Sequence, residues 1–207
     1  MEYGMYSKEL SGLGRRQEAS LRFQNFLKRC SFQFPHVVYV AGNHEFYNGK
    51  FFAGIEYLRE ECAKHPNVYF LENDTKIIDD VVFVGGTLWT DCNNRDPLTL
   101  HALKDMMNDF RIIRHDYDGY RPIRPIDIVE RHTRTLQYIK LILDENKDKT
   151  CVVVGHHSPS FQSCSEYYKD DKLMNGGYHS NLDEFILDRP QIALWTHGHT
   201  HHPFDYY

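Results

Sequence analysis

Val37-Val38-Tyr39-Val40-Ala41-Gly42-Asn43-His44-Glu45 is an apolar, β-branched run that stops at a glycine and opens at once into an amide, an imidazole and a carboxylate. The run reads as a strand and the polar residues as the loop leaving its carboxyl end. The same pattern recurs further on. Cys151-Val152-Val153-Val154 leads into Gly155-His156-His157-Ser158-Pro159, and Ile192-Ala193-Leu194-Trp195-Thr196 leads into His197-Gly198-His199-Thr200-His201. In an open α/β sheet, segments leaving the carboxyl ends of strands converge on a ligand, so these three strand ends predict one site. Val81 to Val84 is a further strong strand and Val68 to Leu71 a weaker one. The strong runs, being continuously apolar, read as strands buried on both faces.

Segments of helical period lie between the strands. Ala19, Phe23, Phe26, Leu27 and Cys30 form one apolar stripe; Phe52, Ile55, Leu58 and Cys62 form another. A third runs from Ile128 through Leu136, Ile139, Ile142 and Leu143 and ends in the charged stretch Asp144 to Lys149. Ser180, followed by Asp183 and Glu184, reads as the N-cap of a short helix. Leu98 to Met107 reads as a less regular helix, and Asp116 to Pro122 as a turn-rich loop over one end of the sheet. Strands alternating with helices predict a layered α/β or α+β fold, with residues 1–207 forming one domain.

Composition narrows the function classes. Hydrophobic residues at 41% and charged residues at 26% exclude a disordered or low-complexity chain. No apolar stretch is long enough to cross a bilayer and the N-terminus carries no signal pattern, so a cytoplasmic protein without a membrane partner is expected. Five scattered cysteines without a CxxC pair predict reduced thiols. A net charge of −5 argues against duplex nucleic acid as a partner. The strand-end clusters instead suit a metal: neutral imidazoles and an amide oxygen are ligands for Mn, Zn, Fe or Ni. On an extended segment His199 and His201 would point the same way, with Thr200 opposite. Any one cluster alone would more often be structural; their recurrence after three strands favours the metal reading.

GNHE at 42–45, GHH at 155–157 and GHTH at 198–201, in that order, resemble the calcineurin-like metallophosphoesterases. GGTLWTD at 85–91 and MNDFRIIR at 107–114 are similar to a bacterial or phage branch of that family. The resemblance implies a β-sandwich flanked by helices and two divalent metals that hydrolyse a phosphomonoester or phosphodiester, its substrate a phosphorylated small molecule or nucleotide. By matching position it implies Asn43, His156 and His199 as ligands of one metal, His201 as a ligand of the neighbouring metal, and His44 as the catalytic acid that protonates the leaving oxygen. Glu45 and His157 take no ligand role. Two cations about 4 Å apart can neutralise phosphate oxygens and lower the pKa of a bridging water.

The family's upstream Asp-x-His and Gly-Asp motifs have no counterpart: no Asp precedes Asp74, and residues 1–16 hold no apolar run of strand type. The expectation is a partial domain without its first strands, beginning about one βαβ unit late and ending early. Such a chain would have weak or no phosphoesterase activity alone and would need a complementing N-terminal segment. The alternatives to such a partial gene product are one half of a split protein and a degenerate homologue that binds at most one metal and is inactive. Exposed sheet edges would bring marginal stability or self-association. Arg111, Arg114, Arg121 and Arg124 could meet a phosphate but read first as a solvated charged loop; Tyr117, Tyr120, Tyr167 and Tyr168 could stack on a base but read first as packing.

Overall fold

The computed structural model describes residues 15–207, so the reading of the first residues as strandless lies, up to residue 14, outside the described residues. Helix α1 (Arg15–Gln33) leads to β1 (Val37–Tyr39), a 3₁₀ turn at Asn43–Phe46, α2 (Phe51–Ala63) and β2 (Val68–Phe70). β1 and β2 pair in parallel, Val37 opposite Val68 and Tyr39 opposite Phe70. Parallel pairing needs a crossover, which α2 supplies.

The larger sheet follows. β3 (Asp74–Ile78) and β4 (Val81–Gly85) form an antiparallel hairpin through Asp79, whose φ is 51°. Then come α3 (Pro97–Met106), α4 (Asp109–Ile112), the short β5 (Arg114–His115) and β6 (Arg121–Pro122), and the long helix α5 (Pro125–Glu145). β7 (Thr150–Val154), α6 (Lys172–Asn175), α7 (Asp183–Leu187) and β8 (Ile192–Thr196) complete the described chain. The four-stranded order is β3-β4-β7-β8, with β4, β7 and β8 parallel. Sheets flanked by helices match the layered fold expected, and no helix among the described residues is long and apolar enough to cross a membrane.

Several expectations need correction. The strands are not buried on both faces. In β4 and β7 the side chains are buried alternately, with Gly85 at the end of β4 also buried, because one face packs on α5: Val82, Val84, Cys151 and Val153 meet Ile139 and Leu143. Among the described strands β8 pairs only with β7, and its Leu194 is exposed. Phe26 is also exposed, since it lies about 100° round α1 from the buried Leu27. Ser180 caps no helix: α7 begins after Leu182, and the Ser180 hydroxyl accepts a hydrogen bond from Asp91 N at 3.1 Å.

A second core cluster lies under the smaller sheet, where Leu27, Phe46, Phe51, Leu58, Phe70 and Trp89 pack together. α5 spans both clusters. Its buried His132 donates Nδ1–H to the Leu88 and Trp89 carbonyls at 3.2 and 3.3 Å, which pins the GGTLWTD segment between the sheets.

Candidate active site

The three polar clusters meet where the two sheets adjoin. Asn43 opens the 3₁₀ turn after β1 and is buried; the turn is closed by Gly42 N donating to Glu45 Oε2 at 2.8 Å. His156, just past β7, stands so close that a Cβ on Gly42 would lie 2.6 Å from its Cε1. Its Nε2 is 3.1 Å from Asn43 Oδ1. Gly198 N donates to the His156 carbonyl at 2.9 Å, drawing the third cluster onto the second. The His199 ring then lies 5.1 Å from that of His156 and 4.1 Å from that of His157, centroid to centroid.

The chain after β8 is not extended, contrary to the alternation expected of His199 and His201. Both have left-handed φ, 62° and 58°, and Thr200 N donates to Gly198 O at 2.7 Å. This tight winding buries His199 and leaves His201 exposed, so the two do not share one face. Both still line the same cleft, with His44 and Asn43, in a cavity of about 500 Å³.

Burial dominates the electrostatics. It pushes His156 down to about 4 and His199 down to about 3, with neighbouring imidazoles adding to the effect. His157 is driven well below its ordinary value for the same reasons. These rings are therefore neutral at pH 7, the form in which imidazole binds metals. A hydrogen bond to the Gly177 backbone occupies one side of the His199 ring, and its buried Nε2 has no hydrogen-bond partner among the described residues.

Sequence reasoning missed the residues that hold this set in place. Asp109 on α4 is buried and accepts from Asn43 Nδ2 at 2.9 Å and from the Tyr47 hydroxyl at 3.0 Å. The His44 ring stacks on Tyr47 at 4.3 Å, and Tyr178 stacks on His199 at 4.6 Å. Asp109 sits in the MNDFRIIR block that carried part of the resemblance, but its spacing from GNHE gave no sign of contact. His157 is buried next to this set: Nδ1 donates to Thr87 O at 3.2 Å and the ring stacks on Trp89 at 4.9 Å. The arginines lie outside the cleft. Arg121 binds Asp127 at 2.6 Å and Asp118 at 2.7 Å, Arg124 binds Asp127 at 3.2 Å, and Arg111 donates to the Asp105 carbonyl.

Residues 11–203 match the family model described as calcineurin-like phosphoesterase. The chain belongs to this family. A calcineurin-like phosphoesterase is a hydrolase of phosphoesters, and the family binds divalent metals. A similar relative is the uncharacterized protein L509 of Acanthamoeba polyphaga mimivirus, 30% identical over 209 residues, the match covering 95% of this chain and 72% of that protein. The fold is similar to that of phosphopantetheinyl hydrolase (PptH) from Mycobacterium tuberculosis, with a TM-score of 0.68 at 18% identity over 89% of this chain and 70% of the other.

Whether the residues of this calcineurin-like phosphoesterase fit a divalent cation can be judged from its donors. Among the described residues no three His, Cys, Asp or Glu side chains gather into a metal-holding group. The set that fits is two imidazoles and an amide. Ligand atoms about 2.1 Å from one ion stand roughly 3.0–3.4 Å apart, and Asn43 Oδ1 and His156 Nε2 are separated by 3.1 Å. His199 Nε2, buried with no hydrogen-bond partner among the described residues, is free to serve as a third donor.

Proposed function

We propose that this chain is a divalent-metal-dependent phosphoesterase in which Asn43, His156 and His199 hold one cation and His44 is the general acid. The observation that carries the reading is the meeting of Asn43 Oδ1 and His156 Nε2 at 3.1 Å beside a buried, unpartnered His199 Nε2. When bound, a cation such as Mn, Zn, Fe or Ni neutralises phosphoryl charge and lowers the pKa of a coordinated water. The chain's own side chains do the rest. Asp109 engages Asn43 Nδ2, which leaves Oδ1 facing His156. Tyr47, anchored on Asp109, presents the exposed His44 ring to the cleft, where it can give its proton to the departing oxygen. His201, at the exposed side of the cleft, is the ligand left for a second cation.

The test is hydrolysis of phenyl and p-nitrophenyl phosphodiesters with Mn and after chelation. Mn-dependent turnover is expected, and His44→Ala should slow it by about 10²–10⁴ for the phenyl ester. The loss should be smaller for p-nitrophenol, a leaving group that needs little protonation. An equal loss for both esters would remove His44 from the acid role. One observation favours a second reading: no Asp precedes Asp74, so the carboxylates of the family's upstream motifs are not in this stretch of sequence. On that reading the chain binds a metal without turnover, even when a segment bearing Asp-x-His and Gly-Asp is supplied.

A further inference from the structure

We infer that the cleft selects phosphoesters whose leaving group is uncharged and carries aromatic or aliphatic surface, and disfavours leaving groups with further negative charge. The inference rests on the phosphoesterase reading of the same site and concerns the part of the cleft that does no chemistry. Beyond His44 and His199 the cavity runs past the last turn of α3 and α6, where Met106, Met174, Tyr168 and Cys164 supply the apolar part of a wall that also holds Asn108, Ser163, Ser165 and Asn175. Met106 is 60% exposed and Tyr168 53% exposed, so large apolar groups stand uncovered beside the reacting end. Thioethers adapt to an irregular apolar guest, and a phenol offers a flat apolar face with a polar tip.

Charge points the same way. The carboxylates lining the cavity are Asp109 and Asp171, and among the described residues no Lys or Arg lines it; its basic side chains are histidines. Both Asp109 oxygens are already engaged, by Asn43 and Tyr47, and Asp171 caps Met174 N at 3.2 Å. Lys169 and Lys172 face a separate pocket that shares Cys164 and Asn175, and Lys169 pairs with Glu166. A second phosphate or a carboxylate on the leaving group, reaching past His44 to the wall at Met106 and Met174, would therefore find no Lys or Arg there to pair with, and Asp171 beside it. A nucleoside polyphosphate or a nucleic-acid backbone fits this wall poorly; a phosphoester of an aromatic or aliphatic alcohol fits it well.

Titration calorimetry on the Mn-loaded chain tests this with three non-hydrolysable probes: methylphosphonate, phenylphosphonate and 2-carboxyethylphosphonate. Phenylphosphonate should bind at least about tenfold more tightly than methylphosphonate, the gain from covering roughly 55 Å² of apolar surface. 2-Carboxyethylphosphonate should bind more weakly than methylphosphonate. Met106→Ser with Tyr168→Ser should abolish the advantage of the phenyl group, and as both side chains are exposed the variant should keep its melting temperature. Binding of the carboxyethyl probe as tight as the phenyl one, a phenyl advantage that survives the double variant, or no binding of any probe would overturn the inference. The phosphoesterase reading fails on a different result: the probes bind in the stated order, yet no phosphodiester is hydrolysed with Mn.

Discussion

Asp109 decides which end of the Asn43 amide faces His156. With Nδ2 committed to the buried carboxylate at 2.9 Å, only Oδ1 is left toward the imidazole. Asp109→Leu would free the amide to turn, and Mn affinity should fall about 10–100-fold, the usual cost of losing a group that orients a ligand. Asp109→Asn keeps an acceptor for Nδ2 and should restore most of the loss; a Mn titration of the two variants in which both bind like the parent would contradict this role. Gly42 is needed for a different reason, close approach. Gly42→Ala puts a Cβ 2.6 Å from His156 Cε1, so the ring must move and Mn affinity should drop without any ligand being removed. At this scale Asn43, His44, His156, His199 and His201 were legible because each follows a strand. Asp109 and Tyr47 were not, because Asp109 lies 66 residues from Asn43 and 62 from Tyr47, and both links depend on tertiary packing.

The loop at Asp116 acts on an element rather than on the site. Its carboxylate accepts from Phe52 N at 2.9 Å and Ala53 N at 3.0 Å, capping α2 from a distant part of the chain. Partial burial alone would raise its pKa, but these two bonds, with the Lys50 charge, hold it below the usual carboxylate value. Asp116→Ala should cost about 1 kcal/mol of stability at pH 7. Because the folded pKa is depressed, this contribution is complete above the unfolded value of about 3.9 and fades as pH falls through the lower folded one. Urea denaturation should therefore show the gap between parent and variant at pH 7 and its narrowing well below pH 4; a gap that widens in acid would refute the cap. The helices from residues 52 and 128 were legible from their apolar period, and the one from residue 98 from a less regular pattern, to within a few residues of α2, α5 and α3. β3 was not, because Asp74–Ile78 is half-buried and polar enough to read as a loop. The Asp79-Asp80 turn between two β-branched pairs was its available signal.

For the whole molecule, the two sheets each supply part of the site: Asn43 and His44 come from the β1 end, His156 and His199 from the β7 and β8 ends. The layered architecture was legible in the alternation of strands and helices. The division into separate sheets, β1-β2, β3-β4-β7-β8 and the small β5-β6, was not, since which strands pair is set by long-range contacts that no local pattern encodes. The edge of the larger sheet carries its own prediction. Leu194 on β8 is 53% exposed beside backbone that no other described strand pairs, and such edges promote association. Sedimentation velocity at increasing concentration should show self-association that Leu194→Lys reduces; a parent chain that stays monodisperse would contradict this.

The central claim is that Asn43, His156 and His199 together hold one divalent cation. Elemental analysis of the chain after loading with Mn and removal of excess tests it most directly, with His199→Ala treated in parallel. The account predicts about one Mn per chain, lost in the variant. Metal-free protein, or Mn retained equally by His199→Ala, would contradict it.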